Sequence, residues 1–146
     1  MVQPMQIEKE PMHTRRWPRD LASGAHWAAI YNGIWGVAWF TFMHREWDTA
    51  LVAIKHPSPW TSEVWLLWVV LTLPIGVAVM AFVADQARAY RSAVAAAAIV
   101  WLLFSLGMLV NGVRAGLSLR VQLLDSVVNL VALLAASVIS TRTTVE

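Results

Sequence analysis

The 146-residue chain has the length of one domain, but 58% of it is apolar, only 14% is charged and the net charge is +2. That balance, with long uncharged runs, points to lipid as the solvent. The cations sit beside the apolar runs instead of forming a stripe, so no nucleic-acid interface is expected. The absence of cysteine excludes disulfides, iron–sulfur clusters and thiol catalysis.

Residues 1–24 read as a polar tail, broken by Pro4, Pro11 and Pro18 and carrying mixed charges. Arg15, Arg16 and Arg19 beside Trp17 suit an interfacial anchor, and the run after the arginine pair is too rich in tryptophan for an export signal. A transmembrane domain over residues 25–140 follows. Its first span is expected over about residues 26–43, where 18 residues at 1.5 Å per residue give about 27 Å, close to a hydrocarbon core of about 30 Å. Asn32, Trp35 and Trp39 share one helical face there, while Gly33 and Gly36 lie off it and would admit a neighbouring helix.

The connection over residues 44–63 is amphipathic. Residues 49–54 are too short to span and too apolar for water, so they predict a short interfacial helix. Pro57 and Pro59 end it, and Thr61 or Ser62 can cap the next helix, with Glu63 in its first turn. Further spans are expected over about residues 64–84, with Pro74 near the middle, and over about 92–113 and 121–139. A short polar tail closes the chain at residues 141–146. Residues 93–98 are nearly all small, which permits close helix contact. The expected architecture is therefore an all-α integral membrane protein with four transmembrane helices and an interfacial helix between the first two. Four spans put both termini on one side. Lys9, Arg15, Arg16, Arg19, Arg88, Arg91 and Arg142 on that side, against Arg45, Lys55, Arg114 and Arg120 opposite, predict cytoplasmic termini in a bacterial inner membrane.

Chemistry-bearing residues are few. Seven of the nine tryptophans lie between Trp27 and Trp68. Trp27, Trp47, Trp60 and Trp65 fit an aromatic belt at the membrane interface, whereas Trp35 and Trp39 fall deep in the first span. That deep pair, with Asn32, Trp47, Trp60, Leu51 and Ile54, forms the expected docking surface for a partner subunit. On the last span Gln122, Asp125 and Asn129 recur at helical spacing, and Ala132 and Ala136 extend their face. Asp125 is the strongest single functional suspect, because a membrane-embedded acid is costly. A structural partner for it is expected from Arg114, Arg120 or Asn111, with Asn111 and Asn129 bonding between helices. His26 and His44 lie about 27 Å apart and cannot share one haem, although either alone suits a single-ligand pigment. His44, Glu46, Asp48 and His56 read as a solvated loop rather than as a metal or acid–base site. No hydrolase elbow, zinc helix or phosphate loop is present.

The function expected from the sequence is a non-catalytic accessory subunit without a resident cofactor or metal, docked laterally on a larger membrane complex of photosynthetic or respiratory electron transport. Its partners would be membrane lipids and other integral membrane subunits, not nucleic acid. The alternatives are a small oligomeric transporter or channel using the polar face of the last helix, and a subunit that binds a pigment, quinone or lipid.

Overall fold

The computed structural model describes residues 17–57, 61–84 and 89–145, and no strand occurs among them. Helix α1 (Trp17–Ala38) passes through a π-helical turn (Trp39–Met43) directly into α2 (His44–Ala53). Helices α3 (Ser62–Ala84), α4 (Ala89–Ala115) and α5 (Leu119–Val145) follow. Among the described residues, three helices are long and apolar enough to cross a membrane: α3, α4, and α5 over Leu119–Thr143. Helix α1 is not among them, because Arg19, Asp20, Ser23, His26 and Asn32 interrupt its apolar sequence. The polar tail before residue 17 and the belt residue Trp60 lie outside the described residues.

The separate interfacial helix is replaced by a continuation of the first helix. No glycine or proline occurs between Gly36 and Pro57, so nothing in the local sequence breaks the helix there. At the junction the His44 N–H donates to the Trp39 carbonyl, one residue further back than in an α-helix. The Thr41 hydroxyl donates to the Val37 carbonyl at 2.7 Å, which helps to satisfy the disturbed ladder.

The ends obey ordinary capping rules. The Val64 N–H reaches the Thr61 hydroxyl at 3.4 Å, so Thr61 caps α3. At the end of α4, Leu117 N–H donates to Gly112 O and Gly116 N–H to Val113 O, with Gly116 at a φ of 76°. This paired pattern is the Schellman motif, which glycine satisfies at no steric cost. The same two bonds close α2, from His56 to Leu51 and from Lys55 to Val52, but there Lys55 takes the positive φ of 54°.

Helix α1 packs against both α3 and α5, α5 packs on α4, and α4 returns to α3. The closest approach of α1 and α3 is at Gly24 and Gly76. A Cβ added to Gly24 would lie 2.6 Å from the Val77 backbone, and one on Gly76 would lie 2.5 Å from the Gly24 carbonyl oxygen. A Cβ added to Gly33 or Gly36, the glycines expected to admit a neighbour, would meet no neighbouring group within 4 Å. Ala93 and Ala97 are fully buried, so the small-residue half of α4 does pack closely.

One stripe organises the interior. Trp27, Tyr31, Trp35, Trp39, Met43, Trp47 and Leu51 recur at every fourth position, and all seven are buried. Four residues advance an ideal α-helix by about 40° beyond a full turn, so six such steps would rotate the stripe by about 240°. The π turn inserts one residue and takes back about 100° of that drift. Two connected clusters result. Trp27 and Tyr31 pack with Val79, Met80, Ala93, Ala97 and Leu133. Trp35, Trp39, Met43, Trp47 and Leu51 pack with Val121 and Val128.

Candidate functional site

Positions 122, 125 and 129 lie on one face of α5, as their spacing predicts, and α1 packs against α5. Gln122 and Asp125 are 4% exposed and Asn129 is 7% exposed. The Asn129 amide donates from Nδ2 to the Asp125 carbonyl oxygen at 2.9 Å and to its carboxylate Oδ2 at 3.1 Å. Its Oδ1 accepts the Tyr31 hydroxyl at 2.5 Å. Asn129 therefore joins the acid of α5 to the phenol of α1, and these three bonds fix the orientation of its amide.

The expected structural partners of Asp125 are elsewhere. Arg120 pairs with Glu46 of α2 at 3.1 Å, and Asn111 is exposed. Among the described residues, Asp125 has no ion pair, and its described side-chain hydrogen bond comes from Asn129. An ionised carboxylate in such a place is expensive, and a proton on it removes most of the cost.

Further up the same face, Trp27 Nε1 donates to the Ser137 hydroxyl at 2.9 Å, with Ser137, Ser140 and Thr141 all buried. Asn32 lies on the other side of α1 and donates to the Thr72 hydroxyl of α3 at 2.7 Å. Thr72 in turn donates to the Val69 carbonyl at 2.7 Å, so it does not serve the Val70 carbonyl that Pro74 leaves without its helical donor. Pro74 is itself exposed, on a groove of about 540 Å³ that Asp20, Leu21 and Val77 also line.

The tryptophan assignments change most. Trp35 and Trp39, expected on an outer docking face, are buried within the chain itself and stack on each other with ring centroids 5.3 Å apart. Trp65 of α3 meets both edge-on, at 5.1 Å and 5.6 Å. Trp68 approaches Trp35 at 6.1 Å and meets Phe104 of α4 edge-on at 5.6 Å. Trp27 and Trp47, assigned to an interfacial belt, are buried as well. The described members of the docking set thus turn inward: Leu51 is buried as well, Asn32 and Ile54 are half-buried, and Trp60 lies outside the described residues. The physical reason is the four-residue spacing, which places Trp27, Tyr31, Trp35 and Trp39 on one side of the first helix, toward α3 and α5.

The histidines do not converge. Nδ1 of His26 is 3.2 Å from the Thr143 hydroxyl near the end of α5, and Nδ1 of His44 is 3.1 Å from the Trp39 carbonyl of the π turn. Glu46 is held by Arg120, while Asp48 and His56 are exposed. Among the described residues, no group of three metal-ligating side chains forms. Tyr31 and Trp27 are the site residues that the sequence reading missed, and their signal was the unbroken four-residue repeat with Trp35 and Trp39. Comparison with protein-family models, with curated proteins and with solved structures finds no match.

Proposed function

We propose that the protein is a non-catalytic accessory subunit that docks laterally on a larger membrane assembly. The observation that carries this reading is the contrast between its interior and its outer faces. Interior polar groups pair across helices: Trp27 with Ser137, Tyr31 with Asn129, Asn32 with Thr72, and Trp101 with Ser126. Such bonds hold a bundle in one arrangement. The outer faces of α3 and α4 carry many large apolar side chains along their middles, including Leu66, Val70 and Leu73 on α3 and Ile99, Leu103, Leu106 and Val110 on α4. The docking surface moves accordingly from the Trp35 and Trp39 face to these helices. Helix α1 and the π turn supply the fourth span over about residues 26–43, because they lie alongside α3 and α5. Both termini then face the cytoplasm of a bacterial cell, following the arginine bias. A respiratory or photosynthetic complex is the class of host with which a search begins. The protein is purified at its natural level in mild detergent and its co-migrating chains are identified by mass spectrometry. A chain that always migrates alone defeats the proposal.

Asp125 favours a second reading, a small proton-coupled transporter, since an acid without a cation inside a membrane helix is a natural proton carrier. Against it, Asp125 and Asn129 are buried inside the bundle beside Tyr31 of α1, so they do not line a pore between copies. Flux measured in liposomes for the parent and for Asp125→Asn discriminates. No flux in the parent, or unchanged flux in the variant, removes transport.

A further inference from the structure

A groove of about 160 Å³ separates the outward sides of α4 and α5 toward one end of the bundle. Leu102, Leu106 and Leu109 form its apolar wall, while Ser105, Gln122 and Ser126 supply polar groups. The polar groups satisfy one another only in part. Gln122 donates from Nε2 to the Leu117 carbonyl at 2.9 Å, which fixes the amide so that Oε1 is its remaining atom. Oε1 is buried and has no hydrogen-bond partner. Gly112 makes room for this amide, since a Cβ there would lie 2.5 Å from the Gln122 Cδ. Buried acceptors are almost always satisfied in folded proteins, and an unsatisfied one calls for an explanation.

The serines leave the complementary group. Their hydroxyl oxygens are 2.7 Å apart, and Ser126 Oγ also accepts from Trp101 Nε1 at 3.1 Å. One serine hydrogen lies between the two oxygens, so the other serine keeps a hydrogen to donate. The groove therefore offers at least the unpartnered Gln122 acceptor and one spare serine hydrogen, with leucine around them. A single hydroxyl, which donates one hydrogen and accepts another, matches that pair. Size narrows the class. A cavity of about 150 Å³ lined by apolar side chains holds a benzene ring. We propose that the α4–α5 groove binds a membrane-partitioned molecule bearing one hydroxyl on a single aromatic ring, an alkylphenol whose apolar tail remains in lipid. The hydroxyl donates to Gln122 Oε1 and accepts from the serine pair, and the ring lies against Leu102, Leu106 and Leu109.

The test uses the full chain in phosphatidylcholine nanodiscs and tritiated para-nonylphenol, with empty nanodiscs subtracted. Saturable binding at one site per chain is expected. Excess unlabelled nonylphenol displaces it, whereas para-nonylanisole, which has the same shape without the donor hydrogen, does not. Gln122→Leu weakens binding about fivefold, the equivalent of one net hydrogen bond. Leu106 is half exposed, so Leu106→Trp fills the groove from its outer side without touching the core. It is expected to abolish saturable binding while the circular dichroism stays unchanged. Uptake that nonylanisole competes for equally, or that survives Leu106→Trp, reflects partition into lipid and overturns the site. Undiminished affinity in a folded Gln122→Leu overturns the role of the amide, and dodecanol competing as well as nonylphenol overturns the aromatic ring.

Discussion

Replacing Tyr31 with Phe removes one hydroxyl from the centre of the α1–α5 contact and changes little else. In the parent, that hydroxyl donates to Asn129 Oδ1 while Asn129 Nδ2 is held by the carbonyl and carboxylate of Asp125. Interhelical hydrogen bonds in membrane proteins average about 0.6 kcal/mol and reach about 1.7 kcal/mol. This one belongs near the top of that range, because both side chains are buried and the fixed amide cannot turn to another donor. Tyr31→Phe is therefore expected to cost about 1.5 kcal/mol. Asn129→Leu strands both the Tyr31 hydroxyl and the Asp125 carboxyl and should cost about 3 kcal/mol. Once Asn129 is gone the Tyr31 hydroxyl has no partner to lose, so the double variant costs no more than Asn129→Leu alone. The assay is reversible unfolding in mixed micelles of sodium dodecyl sulfate and phosphatidylcholine, followed by far-ultraviolet circular dichroism. A coupling energy of about 1.5 kcal/mol is expected from the cycle. Strict additivity refutes the bond as a fixture of the bundle.

The same titration separates the glycines. Gly24→Leu and Gly76→Leu force apart backbones that touch and should each cost about 3 kcal/mol, whereas Gly33→Ala and Gly36→Ala, with open space around them, should stabilise by about 0.5 kcal/mol. Equal effects at all four positions would show that the α1–α3 crossing lies elsewhere. Lys55→Gly relieves a non-glycine residue at positive φ and should stabilise by about 1 kcal/mol, with a loss counting against the αL cap. Arg120→Ala should cost no more than about 0.5 kcal/mol, because the Arg120 side chain is 79% exposed, and a loss above about 1 kcal/mol would make its pair with Glu46 an anchor of α2.

The helical character, the apolar length of α3, α4 and α5, and the cap at Thr61 were legible because each depends on a few adjacent residues. So was the shared face of Gln122, Asp125 and Asn129, since helical geometry alone fixes it. The run from the first helix into α2 was legible in principle, because no breaker intervenes, yet its apolar segment over residues 49–54 reads equally well as a surface helix. What covers each face was not legible. Trp35 and Trp39 carry the same local signal whether they meet lipid, a partner or their own chain. Only the side-by-side placement of α1, α3 and α5, with Trp65 and Trp68 brought edge-on to that pair, turns them inward. Asp125 illustrates the same division: the sequence determined that an acid stands on the polar face of an apolar helix. Only the tertiary structure decided that Tyr31 reaches its neighbour Asn129 while Arg120 turns away to Glu46, because partners 74 or 98 positions apart meet by packing and not by periodicity.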